Sequence, residues 1–439
     1  NYVLWNWLPG GLEFGYGDTP HATNKLTQGW MYTHMSHIMH FFGQTRPEWA
    51  ALGRYIRDYL TDSRYRADKW SVYPFLMTDL KKAPPAKDPG VLPPSRYFKN
   101  MGQVFMRSGS GPEDTYALFS CGGNLRSHRH YDATHFTIYK KGFLALDSGT
   151  RQGNTDNLQN YFAQTVAHNC ILIKMPAEPP SPYWNGEVFG QAGGQNRTIG
   201  SKVIAFETGP HFTYVAGDAT PVYSEEKCER IVRQFVFISP NHFAVFDRVS
   251  ATRAEYSKRW LLHHANEPVV EGKAWFSDQD RGRIFVRTLL PKDAILEKVG
   301  GPGKEFLADG VNYAIDAGPS QFIKDRKYRI SRMEYDEVPE LMGRWRMEVN
   351  PGSAREENGF LHLIQVGDQT LEAMGEVQTQ TTGDRAEVRF NAEGRDVVLS
   401  FATSGEIGGQ IRICENGQAL VDRELTREVM PQSGLASLQ

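Results

Sequence analysis

From about residue 99 onward, the chain is dominated by short runs of alternating apolar and polar residues separated by turn residues. Runs such as ATHFTIYKKGFLALDSG and CERIVRQFVFISPNHFAVFDRV are rich in β-branched and aromatic side chains, which is typical of strands. The stretches 140–142 and 239–241 lie inside these runs and indicate hairpin turns. Because so many short strands occur with almost no helical periodicity, the sequence predicts a mainly β fold of large antiparallel β-sandwich domains.

The first 80 residues have a different, helical pattern. Apolar and aromatic side chains recur at spacings of three and four from Leu26 to Phe42, and Gly43 ends the run. Pro47 stands at a favourable first position for a second amphipathic helix that runs to Thr61. Two such helices alone would expose much apolar surface, so we expect them to belong to a helical layer that continues upstream.

A proline-rich stretch, KKAPPAKDPGVLPPS, begins at Lys81 and separates the helical part from the β-rich part. Such a stretch can form neither a helix nor a central strand and is typical of an interdomain linker. We therefore predict helices over residues 1–80, a linker over 81–98, a large β domain over 99–340 and a smaller β domain over 341–439.

The composition excludes some classes of partner. The formal net charge of −2 provides no overall attraction to nucleic acid or to a membrane surface, so we expect neither partner. An anionic substrate would require a local basic groove. The apolar runs are too short to cross a bilayer as a helix. The four cysteines lie far apart, which argues against a zinc–thiolate site and leaves open one disulfide or separate buried thiols.

The most unusual segment is RSHRHYDATHF, residues 126–136. His128 and His130 are two residues apart, so on one strand both would lie on the same face. Asp147 ends an apolar run downstream, and His168 begins the run HNCILI. Two imidazoles and one carboxylate from three adjacent strands suit zinc or a similar divalent ion. A hydrogen-bonded polar crevice without a metal is the alternative that these residues leave open.

Two further residues near this segment allow two interpretations each. His135 is either structural or directed toward a substrate. Tyr161 lies seven residues before His168, in a segment that must approach the same site. It can act as an acid or position a substrate, or it can be a packing aromatic at the start of a strand.

Several short motifs together resemble the heparinase II/III family of polysaccharide lyases. They are HRHYD at 128–132, LDSG at 146–149, AHN at 167–169, QVFMRS from Gln103 and RQFVF from Arg233. The resemblance covers most of residues 1–300, and the motifs are specific only in combination. It implies an (α/α) toroid, of which residues 1–80 are the last helices, followed by antiparallel β-sheet domains. It also implies that substrate binds in the cleft between them.

The resemblance further implies roles for individual residues. His128 faces the substrate and is catalytic, whereas His130, Asp147 and His168 bind a divalent metal, with zinc as the preferred ion. Such a metal would be structural and would connect three strands beneath the groove.

The expected activity is β-elimination on a uronate-containing acidic polysaccharide, with heparin or heparan sulfate preferred. Arg126 and Arg129 can make bidentate contacts to carboxylate or sulfate groups of the substrate, and Tyr161 is a candidate acid. A noncatalytic carbohydrate-binding protein with a structural metal is the alternative. A polymer-degrading enzyme of this kind is expected in the periplasm or outside the cell.

One feature of the family is missing from the sequence. The family's catalytic tyrosine lies in the toroid well upstream of the linker, whereas only about eighty residues precede the linker here. We therefore expect the chain to be a fragment, or one part of a nicked or two-chain protein, that lacks this tyrosine. It would then associate with the upstream toroid segment or form a homodimer.

Overall fold

Antiparallel strands dominate the computed structural model of the chain, which confirms the mainly β fold expected from the sequence. The structure describes residues 2–18, 29–60, 72, 76, 79, 83–87, 92–123, 128–148, 157–179, 181–183, 186–188, 192–317, 331–332 and 335–432. The chain divides into two compact units. The first comprises residues 1–93, 109–112 and 433–439, and the second comprises residues 94–108 and 113–432.

The described helices of the first unit follow the sequence prediction. One helix runs over Gly29–Phe42, and the next runs over Pro47–Tyr55 and continues as a π-helical turn over Ile56–Leu60. Their place in an (α/α) toroid stays a prediction. The bounds of the preceding elements are Tyr2–Asn6 and Pro9–Gly11 for helical turns, and Trp7–Leu8 and Leu12–Glu13 for a hairpin. Within the described ranges, no helix is long and apolar enough to span a membrane.

An eight-stranded antiparallel sheet, called the central sheet below, forms the middle of the second unit. Its strands in spatial order are Lys202–Thr208, Phe212–Asp218, Cys228–Ile238, His242–Ala251, Glu357–Asp368, Gly282–Leu290, Ala274–Gln279 and Val269–Glu271. The hairpin turn predicted at 239–241 joins two of them. Successive side chains alternate between two separate hydrophobic cores, with Phe243 and Val245 in one and Ala244 and Phe246 in the other. Both faces of the sheet are therefore covered.

Two smaller sheets cover one face of the central sheet. The strands of the five-stranded sheet are Ser95–Phe98, Gln103–Arg107, Tyr116–Ser120, His135–Tyr139 and Phe143–Ala145, and those of the four-stranded sheet are Ile295–Gly300, Trp345–Asn350, Ser257–His264 and Ile171–Lys174. Phe119, Phe136 and Trp260 from these sheets share one core with the central sheet. The turn predicted at 140–142 joins two strands of the five-stranded sheet.

The strand Ser95–Phe98 lies inside the stretch 81–98 that the sequence assigns to a linker. The prolines of this stretch end at Pro94. Since the following residues retain their backbone N–H groups, they can join the sheet, and they pair with Gln103–Arg107.

A second five-stranded sheet, near the C-terminus, covers the opposite face of the central sheet. Its strands are Val377–Thr382, Arg385–Ala392, Arg395–Ala402, Gly409–Glu415 and Gln418–Glu424. Val388, Leu399 and Ile411 from this sheet share the second core with Tyr214 and Leu361 of the central sheet.

Two strands after residue 340 pair with upstream strands and not within the C-terminal sheet. Trp345–Asn350 pairs with Ser257–His264, and Glu357–Asp368 pairs with His242–Ala251. Most positions of these two strands are buried on both faces. Such strands require a place with both faces covered. By contrast, Val377–Thr382 has no buried position, and Arg385–Ala392 alternates between buried and more exposed positions.

Short hairpins and helical turns in the described residues connect these sheets. The hairpins are Ser181–Tyr183 with Gly186–Val188, Leu307–Ala308 with Val311–Asn312, and Asp316–Ala317 with Ser331–Arg332. The helical turns are Leu158–Phe162, Thr165–Ala167, Thr220–Val222, Tyr335–Glu337 and Glu340–Met342. The turn over Thr165–Ala167 ends directly before His168 and therefore sets the position of that side chain.

A buried ion pair connects the central sheet to both smaller sheets. Arg233 is fully buried, and its Nε donates to Asp247 Oδ1 at 2.7 Å. Its Nη1 donates to the backbone carbonyls of Thr134, directly before the strand His135–Tyr139, and of Asn169, two residues before the strand Ile171–Lys174. Trp260 Nε1 donates to Asp247 Oδ2 at 3.0 Å. The pair therefore stabilises the contact among three sheets.

Replacing Arg233 tests the contribution of this ion pair. Arg233→Met leaves the Asp247 carboxylate buried without its charge partner, so we expect the free energy of unfolding to fall by about 3–5 kcal/mol. Chemical denaturation followed by circular dichroism measures this loss. The matched control is Arg253→Met, because Arg253 forms an exposed pair with Glu255, and the expected cost there is below about 1 kcal/mol. Equal effects of the two substitutions would contradict the assignment.

Candidate metal centre and active site

Three segments of the second unit bring His135, Asp147 and His168 together. His135 begins the strand His135–Tyr139, Asp147 follows the strand Phe143–Ala145, and His168 lies between the turn at 165–167 and the strand Ile171–Lys174. All three side chains are buried, with 1%, 5% and 0% exposed, respectively. One ligand atom from each lies within 4.8 Å of the other two, so the group can bind a metal ion.

Asp147 is the hydrogen-bonding centre of this group. Its Oδ1 lies 2.6 Å from Nδ1 of His168 and 3.7 Å from Nε2 of His135. Burial raises the pKa of Asp147 to about 7, and the nearby His130 opposes this rise. Burial lowers the pKa of His168 to about 4, so its imidazole is neutral near pH 7. A neutral imidazole is the form that binds a metal.

The His168 ring has one nitrogen available for a ligand. When its Nδ1 donates to Asp147, its Nε2 carries a lone pair. This Nε2 is buried and has no hydrogen-bond partner among the residues that the structure describes. A buried acceptor without a partner costs free energy, which a divalent ion would recover. The residues present therefore fit a bound divalent metal.

His135 is held in one tautomer by the backbone. The N–H of Asn169 donates to its Nδ1 at 2.9 Å, so in the neutral ring the proton lies on Nε2. That proton is directed toward the Asp147 carboxylate, which lies 3.7 Å away. As placed, His135 supports Asp147 as a donor, and it can bind a metal only by losing this proton. Sequence reasoning left its role open between structure and substrate contact.

His128 and His130 do not lie on a strand, contrary to the arrangement considered from their spacing. Residues 128–134 form a loop between the strands Tyr116–Ser120 and His135–Tyr139. His128 has a φ of 57°, which interrupts an extended backbone. His128 is exposed, whereas His130 is buried with its ring centroid 5.2 Å from that of His168. His130 thus lies beside the buried group, and its role as a ligand stays a prediction.

Asn169 connects every strand of the group, and sequence reasoning did not single it out. Its Nδ2 donates to the carbonyls of Phe136 and Leu146, at 2.7 and 3.1 Å. Its Oδ1 accepts from the backbone N–H of His263 at 2.7 Å and lies 3.0 Å from Nδ1 of that residue. A signal existed in the sequence, because an amide directly before the apolar run CILI must find hydrogen bonds inside the core.

Tyr161, a candidate acid from the sequence, lies inside the protein. Its side chain is fully buried and packs edge-on against Phe162 and Phe306. Its hydroxyl accepts a hydrogen bond from Arg346 Nη1 at 3.4 Å. This environment favours the packing interpretation that the sequence left open, and a catalytic role stays a prediction.

Arg126 and Arg129 are the two arginines predicted to bind substrate. Arg126 lies outside the described residues. Arg129 is partly buried and donates to the backbone carbonyls of Gly122 and Gly123, at 2.7 Å and 3.3 Å. These two bonds fasten the loop that carries His128 and His130. They engage two nitrogens of the guanidinium that the sequence assigns to substrate contacts.

Removing the Asp147 charge tests metal binding. For the original chain, free zinc at a hundred times its dissociation constant should stabilise the fold by about 2.7 kcal/mol. Asp147→Asn should lose this stabilisation and the bound ion, because it removes a charged oxygen ligand. Thermal unfolding with and without zinc, together with elemental analysis, provides the measurements. The exposed control Asp280→Asn should behave like the original chain, and an equal zinc response in Asp147→Asn would contradict the site.

Comparison with known proteins agrees with this architecture. Residues 90–328, more than half of the 439 residues, match the family profile described as heparinase II/III-like, C-terminal. No curated protein sequence matches the chain significantly.

Three similar solved structures share the fold. A heparinase III gene product has a TM-score of 0.57 at 13% identity, over 96% of this chain and 51% of its own. A heparan sulfate lyase mutant from Pedobacter heparinus has 0.55 at 15%, over 96% and 52%. Another heparinase III has 0.53 at 14%, over 91% and 52%. The chain thus spans about half the length of these proteins. Because the family profile matches more than half of its residues, the chain belongs to the heparinase II/III-like family.

Proposed function

We propose that the chain is part of a polysaccharide lyase that cleaves a uronate-containing acidic polysaccharide by β-elimination, with heparin or heparan sulfate preferred. Membership of the heparinase II/III-like family supports a polysaccharide lyase. One similar structure is a heparan sulfate lyase, which supports the choice of substrate. Since the chain spans about half of its structural neighbours, the proposed activity is that of the whole protein. A polymer substrate of this kind favours a periplasmic or extracellular location.

The conformation of His128 is the observation that carries this proposal. His128 is exposed in the left-handed region, where a residue with a Cβ is strained by roughly 1–2 kcal/mol. Strained backbone of this kind can hold a side chain in a required direction. Two residues later, His130 is buried beside His168. The loop thus presents one imidazole to solvent and one to the buried group.

The proposed reaction is the elimination of the group at O4 of a uronate unit. A base removes the proton at C5, the electron pair of the C5–H bond forms a C4–C5 double bond, and the C4–O4 bond breaks. The leaving oxygen takes a proton from an acid. We assign the base or carboxylate-contacting role to His128, because an imidazole can accept a proton or donate a hydrogen bond. Tyr161 as the acid is the weaker assignment, since its hydroxyl is buried.

The uronate carboxylate must be neutralised before C5 can lose its proton. Arg126 and Arg129 remain our candidates for that contact, with the carbonyl bonds of Arg129 limiting its reach. A divalent ion, zinc by preference, would be held by His130, Asp147 and His168. When bound, it would supply structural cross-linking of three segments. The chain's own residues then orient the loop that carries His128.

A noncatalytic carbohydrate-binding protein with a structural metal is the second candidate. The burial of His135, Asp147 and His168 favours it, because a fully enclosed group has no side open to substrate. This candidate shares the metal prediction but requires no base at position 128.

Product absorbance separates the two candidates. The whole protein and this chain are incubated with heparan sulfate, alginate and hyaluronan while absorbance of the unsaturated uronate is followed. We expect new absorbance with at least one polymer, heparan sulfate first, because elimination leaves a C4–C5 double bond. Reducing ends without new absorbance would exclude elimination. Binding without either signal would support the noncatalytic candidate.

Substituting glycine for His128 distinguishes an effect on catalysis from an effect on stability. His128→Gly removes left-handed strain of roughly 1–2 kcal/mol, offset in part by roughly 0.4–1 kcal/mol from added freedom of the unfolded chain. We therefore expect stability to stay the same or to rise slightly, while elimination by the whole protein is abolished. Denaturation curves and product absorbance measure the two effects.

Asp280→Gly is the matched control for this experiment. Asp280 is also exposed with a φ of 52°, but it lies in the turn between Ala274–Gln279 and Gly282–Leu290. The same gain in stability with unchanged elimination is expected there. An elimination rate retained in His128→Gly would overturn the proposed role of His128.

A further inference from the structure

A large cavity lies on the opposite face of the central sheet from His135, Asp147 and His168. It has a volume of about 920 Å³ and is bounded by the central sheet, by the turn at 291–293 and by loops of the C-terminal sheet. The side chains of Arg230 and Arg248 lie on its sheet wall. We call it the Arg248 cavity. Its volume is in the range of small-molecule sites, roughly 300–1,000 Å³.

Strand register places Arg230 and Arg248 close together on the wall of this cavity. Arg230 lies opposite Ser250, and Arg248 lies opposite Gly359 in the neighbouring strand. Arg230 and Arg248 are diagonal neighbours on one sheet face, within reach of each other. The ring of Phe246 lies over Gly359, the residue across from Arg248. Two adjacent positive charges in a concave site attract an anion.

Arg248 has one guanidinium nitrogen without an acceptor among the described residues. The residue is only 5% exposed, and its Nη1 donates to the carbonyl of Glu406 at 3.3 Å. Its Nη2 is buried and has no hydrogen-bond partner within the described ranges. Burial and then the positive charge of Arg230 lower the pKa of Arg248, while Glu357 raises it. A buried cationic donor without an acceptor is costly, and an anionic ligand would remove that cost.

The remaining lining suits a hydroxylated ligand with few charges. Phe246 and Leu290 form an apolar floor that continues the second core. Hydroxyl groups of Thr381 and Thr403 lie on the wall from the C-terminal sheet. Carboxylates also line the cavity, including Glu357. Such carboxylates accept hydrogen bonds from ligand hydroxyls and repel polyphosphates, so the lining favours one acidic group on a polyhydroxylated body.

We propose that the Arg248 cavity binds an acidic sugar unit, with its carboxylate or sulfate group on Arg248 and Arg230 and its hydroxyls on the opposite wall. The choice of a sugar over other hydroxylated anions rests on the proposed function. Since the cavity and the group of His135, Asp147 and His168 lie on opposite faces of one sheet, the cavity is a separate binding site. On a long polymer it would hold the chain and raise the local concentration of cleavable units.

A fluorophore at the cavity mouth reports on this site alone. Ser404 is exposed and lines the cavity. The label is attached at Ser404→Cys in a Cys414→Ser background, because the other three cysteines are buried. The probe is a heparan sulfate disaccharide, with cellobiose and sodium sulfate as comparators. We expect a saturable emission change with the disaccharide and none with cellobiose.

Substitution of either arginine should weaken this binding. A charge-assisted hydrogen bond contributes roughly 1.5–3 kcal/mol, so Arg230→Ala and Arg248→Gln should each raise the dissociation constant at least about tenfold. Arg230 is half-buried, so its variant remains informative if Arg248→Gln does not fold. Arg253→Ala, which removes an exposed arginine outside the cavity, should bind like the parent.

Defined outcomes would overturn the proposal. These are no emission change with the disaccharide, unchanged affinity in Arg230→Ala, or sulfate binding as tightly as the disaccharide, which would indicate a simple ion site. Failure of the proposed function has a different readout: the product-absorbance assay then detects no unsaturated product from any uronate polymer. Disaccharide binding in the cavity without elimination would retain this inference and remove the lyase assignment.

Discussion

Arg233 and Asp247 lie where three sheets of the second unit meet, and their ion pair stabilises the whole candidate site. Removing two charges from water costs several kcal/mol for each ion, and additional hydrogen bonds to the pair help to offset this cost. Here Arg233 donates to the carbonyls of Thr134 and Asn169, and Trp260 donates to Asp247. Thr134 directly precedes His135, and Asn169 directly follows His168. The ion pair therefore determines the backbone on either side of the buried group.

Asn169 transmits this restraint to the side chains of the site. Its amide connects Phe136, Leu146 and His263, and its own N–H sets the tautomer of His135. A ligand group positioned by such bonds loses little entropy when an ion binds, because its rotamers are already restricted. The restricted positions of these side chains and the burial of the Arg233–Asp247 ion pair thus have the same cause. Both follow from covering the central sheet on two faces.

The strands and turns of the second unit could be predicted because their signals are local. Period two, β-branched residues and the turns at 140–142 and 239–241 each lie within a few residues of the element that they specify. The proximity of Asp147 to His168 was also expected from the sequence. The placement of Trp345–Asn350 and Glu357–Asp368 was not, because strand pairing over more than eighty residues depends on which sheet edges remain open.

The remaining features of the site depend on contacts that no short window contains. His135 joins Asp147 only because Asn169, 34 residues later, holds its ring. Tyr161 is enclosed by Phe306, from a segment far along the chain. The loop conformation at His128 escaped prediction for a different reason. An HxH spacing suits a strand, but the left-handed φ of 57° breaks the strand and separates an exposed from a buried histidine.

The two faces of the central sheet carry different chemistry because their charges are compensated differently. On one face, Arg233 is paired with Asp247, so its positive charge is neutralised within the protein. On the other face, Arg248 and Arg230 lie together, and neither forms an ion pair within the described residues. A compensated charge stabilises structure, whereas an uncompensated one requires a ligand. The same residue type therefore supports the scaffold on one side of the sheet and recognition on the other.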